Sequence, residues 1–77
     1  MGKSVYLTEG RDFKTIVDES TAGTIYVGYA AMGTATSAAK WKIFKVVEAS
    51  SVTTTTYADS NANFDNVWDD RASLTYG

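Results

Sequence analysis

The chain has no cysteine, no histidine and no proline among its 77 residues. Without cysteine there is no disulfide and no thiolate metal site. Without histidine, imidazole acid–base chemistry is excluded and zinc loses its commonest nitrogen ligand. Charge of one sign is also missing: seven Lys and Arg face nine Asp and Glu, for a formal net charge of −2. A nucleic-acid-binding domain asks for a basic surplus, so nucleic acid is not an expected partner. No apolar run approaches the roughly 18–20 residues that span a bilayer. The opening stretch MGKSVYLTEGRDF has no apolar region of the kind a secretory leader carries. Ser4 and Tyr6 do not fit the myristoylation pattern that would follow Gly2. Neither a membrane association nor a cleaved leader is expected; a place outside the cell would be reached by lysis or another leaderless route. The lack of cysteine does not set the redox compartment.

Helical periodicity is absent too. No window places apolar residues at i, i+3, i+4 and i+7 over several turns, which excludes an amphipathic helix of any length. Strand formers are abundant instead, with eleven threonines, ten aromatics and many valines and isoleucines. Ser4 to Leu7 and Phe13 to Val17 read as short strands, and Asp18 to Gly23 as a turn. Thr24 to Met32 (TIYVGYAAM) is the clearest strand. Both of its faces are apolar, so both are expected to be covered. Gly28 within it marks a bulge or a close approach. Gly33 to Ala39 is a loop or a single helical turn. Trp41 to Glu48 is a strand with Trp41, Ile43 and Val47 on one face, interrupted by Lys45, and Phe44 and Val46 on the other. Ala49-Ser50-Ser51 is a hairpin-length connection to a strand over Val52 to Tyr57. A last short strand runs from Ser73 to Tyr76. The expected fold is all-β: a small antiparallel sandwich or barrel-like domain of about five to seven short strands.

Seventy-seven residues make a single domain at most, and one this small buries too little surface to be comfortable alone. Disulfides, metals or oligomerisation usually compensate. With disulfides excluded, a homo-oligomer, or assembly with other proteins, is the first expectation. Residues 1–23 read as part of the domain or as an arm to a neighbouring subunit.

The stretch Ala58 to Gly77 carries the densest chemistry. Asp59, Asn61, Asn63 and Asp65 alternate, and Asp70 stands at the twelfth place, the oxygen-ligand spacing of an EF-type calcium loop. Phe64 occupies the place of that loop's glycine, and a threonine-rich strand stands where a helix belongs. The simpler reading is an Asx-rich turn, with side chains bonding nearby amides; no metal or cofactor is implied. Asp65, Asp69 and Asp70 do not suggest glycoside hydrolysis, because so short a chain seldom builds the cleft that paired carboxylates need. Arg71 beside Asp69 and Asp70 suggests an ion-pair clamp, and Phe64 with Trp68 an apolar anchor closed by Tyr76. No residue is assigned a catalytic role, and a small-molecule ligand is not expected. Lys40, Lys42 and Lys45, beside Trp41 and Phe44, form a basic and aromatic stretch. Paired with the acidic tail of another subunit, it would give salt-sensitive assembly. The tryptophans and tyrosines suit protein interfaces better than a sugar platform.

Two blocks carry a resemblance. Phe64 to Tyr76 (FDNVWDDRASLTY), and Tyr26-Val27-Gly28-Tyr29-Ala30 followed by Gly33-Thr34-Ala35-Thr36-Ser37-Ala38-Ala39-Lys40-Trp41, resemble small virion structural proteins of tailed bacteriophages. The resemblance covers Thr24 to Tyr76, about two-thirds of the chain. Asp59-Ser60 stands where it implies Asp-Gly. It implies a non-enzymatic structural subunit of a particle, in capsid, tail or fibre. The alternatives are a subunit of an extracellular bacterial fibre, and a small carbohydrate- or calcium-binding module.

Overall fold

The structure, a computed structural model, describes residues 13–77. The expected strand at Ser4 to Leu7, and most of the expected arm, lie outside the described residues. Four antiparallel strands follow one another as a meander: β1 (Phe13–Thr21), β2 (Thr24–Ala31), β3 (Ala39–Ala49) and β4 (Val52–Tyr57). A two-residue strand, β5 (Asn66–Val67), pairs with the start of β3, and a 3-10 helix follows at Trp68–Ser73. The fold is a small all-β domain, as the alternation of the chain implies. Among the described residues no helix is long and apolar enough to cross a membrane.

The turns explain the strand lengths. β3 and β4 are joined by Ser50 and Ser51, both at positive φ (54° and 69°). That is the pair of left-handed residues whose twist suits a two-residue hairpin, supplied by serine where Asn-Gly is usual. β1 runs four residues further than Phe13 to Val17, into what reads as a turn. Its register shifts between Asp18 and Thr21. The Asp18 carboxylate accepts bonds from the Ser20 amide (2.9 Å) and hydroxyl (2.7 Å), which holds that irregularity in place. The chain then reverses at Ala22-Gly23, with Gly23 at φ 77°. β3 begins at Ala39, before Trp41, because β5 pairs with Ala39 and Trp41, beyond the residues that β2 pairs.

Strand alternation divides the sheet into two faces. The inner face carries Ile16 of β1, Gly28 and Ala30 of β2, and Trp41 and Ile43 of β3. Over it lies the C-terminal segment. Trp68, Leu74 and Tyr76 pack there, completing a core of Ala30, Trp41, Ile43, Ala58 and Trp68. Ala58 bridges Tyr76, and Tyr57 and Gly77 exchange amide–carbonyl bonds of 3.1 and 3.2 Å. The second layer of the domain is therefore the tail. The turn before it, at Asp59-Ser60, has both residues at positive φ (59° and 60°), so serine adopts the conformation for which glycine is favoured.

The outer face carries Phe13, Val17, Ile25, Val27, Tyr29, Phe44, Val46 and Tyr57. None of these is buried. The expectation that both faces of β2 are covered therefore holds for one face only among the described residues. Among the described residues one segment covers the sheet, and it goes to the face where Gly28 leaves room for an indole.

Candidate functional site

The tail is a structural lock. The Trp68 ring stands 6.0 Å from that of Trp41, tilted by 40°. It fills a notch above Gly28, where a Cβ would lie 2.6 Å from its Cε3 atom. Gly28 is the close approach that its place in a strand suggests. Trp41 donates its indole N–H to the Ala35 carbonyl at 3.0 Å, so the loop after β2 satisfies a buried polar group. The Arg71 guanidinium lies 4.6 Å over the Trp68 ring. Its Nε donates to Asp18 Oδ2 at 2.8 Å, and its Nη1 to the Trp68 carbonyl at 3.2 Å. The Tyr76 hydroxyl donates to the Arg71 carbonyl at 2.7 Å, and Lys45 Nζ stands 4.6 Å over the Tyr76 ring.

Two groups titrate away from their ordinary range. The Ser20 hydroxyl and amide, and then Arg71, hold the Asp18 carboxyl down at about 2. Burial, with Tyr26 nearby, pushes the Tyr76 phenol up to about 12. Both shifts belong to the lock and require no substrate.

Several expected groupings are rearranged. Arg71 is clamped to Asp18, 53 residues away, and not to Asp69 or Asp70. Those two acids are exposed in the first turn of the 3-10 helix. Trp68 is the apolar anchor without Phe64, which is 46% exposed and stacks on Phe13 at 6.1 Å. The candidate calcium loop forms Asx turns: Asn61 Nδ2 donates to the Asp59 carbonyl (3.1 Å), and Asn61 Oδ1 accepts from the Asn63 amide (2.9 Å). Asp65 Oδ1 accepts from Asn66 Nδ2 at 3.2 Å. Among the described residues, no three acids cluster closely enough to hold a metal ion. Lys40, Lys42 and Lys45 do not share a face. Lys45 reaches Tyr76 on the inner side, while Lys42 stands over the outer one. Asn66, a buried polar residue, and Asp18 are structural residues that the sequence pattern alone does not single out.

The outer face carries a second grouping of aromatic and charged side chains. Phe44 sits between Tyr29 (6.0 Å) and Tyr57 (5.5 Å), with both rings tilted to it. Lys42 Nζ is about equidistant from three rings, 6.0 Å from Tyr29, 5.9 Å from Tyr57 and 5.8 Å from Phe64. At the opposite end of the strands, Glu19, Glu48 and Thr53 surround a shallow trough of about 370 Å³ floored by Ile25 and Val46. The face thus runs from a cationic, aromatic end through an apolar strip to an acidic hollow. Such a surface buries apolar area and pairs charge. The signal was present in sequence as the two-sided apolar pattern of β2 and β3. No family model matches the chain, and no curated protein or solved structure matches it either.

Proposed function

We propose that the protein is a non-enzymatic structural subunit that assembles through the outer face of its sheet, most simply as a component of a bacteriophage particle. The observation that carries this reading is the outer face itself. Eight apolar or aromatic side chains share it, and none is buried. Contiguous apolar surface of that kind on a small domain marks an interaction site. The phage assignment rests on the resemblance of the tail and of the β2–β3 region, and the tail's role as a structural lock suits a particle component.

The test has two parts. Light scattering at micromolar concentration should give a mass above that of one 8.3 kDa chain. Mass spectrometry of gradient-purified virions from a lysate that encodes the chain should detect it in stoichiometric amount. A folded monomer that is absent from particles would overturn the reading. The second reading, an extracellular fibre subunit, gains from β4, which lies at one end of the strand order. An edge strand can pair with a strand of another chain. Electron microscopy of the concentrated protein separates the two, because only the second predicts filaments.

A further inference from the structure

We infer that the occupant of the outer face is a second copy of this chain, stacked sheet on sheet about a twofold axis perpendicular to the strands. This rests on the reading of that face as an assembly surface. Its starting point is polarity along β3. Lys42 and Glu48 both point outward from that strand, six residues apart, which is ~20 Å at the usual rise of a strand. Glu19 lines the same trough as Glu48, but the register of β1 sets it beside Ile25, nearer the middle of the sheet.

Two ways of stacking a second sheet on this face can be distinguished by charge alone. A twofold parallel to the strands lays Lys42 on Lys42 and Glu48 on Glu48, so like charges meet as they desolvate. A twofold perpendicular to the strands reverses the ends. Each Lys42 then comes to the partner's Glu48, so opposite charges meet at both ends of β3. The centre of the contact suits that operation. Midway between Lys42 and Glu48 lie Phe44 and Val46, with Val27 and Ile25 opposite them on β2. Each Phe44 therefore comes near the partner's Val46, and on β2 and β3 the axis crosses apolar side chains. Relief agrees with charge. The Lys42 end is raised by the stacked Phe13 and Phe64 rings, and the Glu48 end is hollow. The reversed stacking places ridge over hollow twice. A twofold contact is self-complementary by construction, and the result is a β-sandwich assembled from two chains.

The experiment is a charge swap read by sedimentation equilibrium, with circular dichroism to confirm that each variant is folded. K42E and E48K should each weaken self-association at least about tenfold, since either change places like charges together at both ends of the dimer. An equimolar mixture of the K42E and E48K chains should associate within about threefold of wild type, because both contacts then join opposite charges. The doubly substituted chain should self-associate equally well. Association of the wild type that neither single change weakens overturns the stacking but leaves the assembly reading standing. A wild-type chain that stays monomeric yet is present in purified particles overturns it too, and assigns the face to another particle protein.

Discussion

Replacing Trp68 by alanine should remove most of the stability of the domain. The indole is only 4% exposed, and it fills the notch above Gly28. Truncating a buried tryptophan costs about 3–5 kcal/mol. The upper half of that range is expected here, because Gly28 has no side chain to relax into the void. The change also leaves the Arg71 guanidinium without the ring it lies on. A 77-residue domain has about 4–12 kcal/mol in total, at roughly 0.05–0.15 per residue. Trp68→Ala should therefore bring the protein to the edge of unfolding at 25 °C. The controls are Asp69→Asn and Asp70→Asn, whose side chains are exposed and which should stay within about 0.5 kcal/mol of wild type. Urea denaturation followed by far-ultraviolet circular dichroism measures all three. A loss below about 1.5 kcal/mol for Trp68→Ala would contradict the buried-indole argument, since core truncations of this size cost more. So would an acid-to-amide change that proves the more damaging.

Two further outcomes follow from the lock and the turns. Asp18 has its folded pKa lowered from 3.8 to about 2, so its contribution is present above 3.8 and is lost as pH falls through 2. Tyr76 has its folded pKa raised from 10.0 to about 12, so its contribution is present below 10 and is lost as pH rises through 12. Melting midpoints against pH should fall at both ends, with the acid limb shallower in Asp18→Asn and the alkaline limb shallower in Tyr76→Phe; unchanged limbs would remove these groups from the account. In the β3–β4 turn, S50N combined with S51G should stabilise the protein by about 1–2 kcal/mol, because each serine there carries the cost of a left-handed conformation. Thermal melts read this directly, and a lowered midpoint would refute it.

Runs of strand formers made β2, β3 and β4 legible in the sequence, although both faces of β2 are apolar and the threonine run of β4 alternates only weakly. β1 was legible only in its first half. Asp18, Glu19, Ser20 and Thr21 have turn chemistry, and they remain in the strand because Arg71 and Ser20 hold Asp18. The lock itself was half visible. Its tryptophan stands out in the tail, but its acid does not, since the nearest acids in sequence, Asp69 and Asp70, face away along the 3-10 turn. Phe64 and Trp68 looked like one anchor by proximity. An extended segment containing β5 runs between them, and it carries Phe64 to the basic end of the outer face. The face was legible only as an excess, two apolar sides on strands for which the described residues hold one cover.

The division between a meander and a covering tail also orders events in time. Each hairpin closes between residues that are near neighbours in the chain, a microsecond process. Trp68 meets Gly28 only after forty residues are gathered in, and Arg71 meets Asp18 after 53. The entropy of such closures is lost before the contacts repay it. The meander is therefore expected to form first, with the arrival of the tail as the slow step. Until that step neither face of the meander is covered by the described residues. If the protein assembles as proposed, fidelity is a race between its own tail and its neighbours, and the rate at which Trp68 finds its notch decides which face is left for assembly.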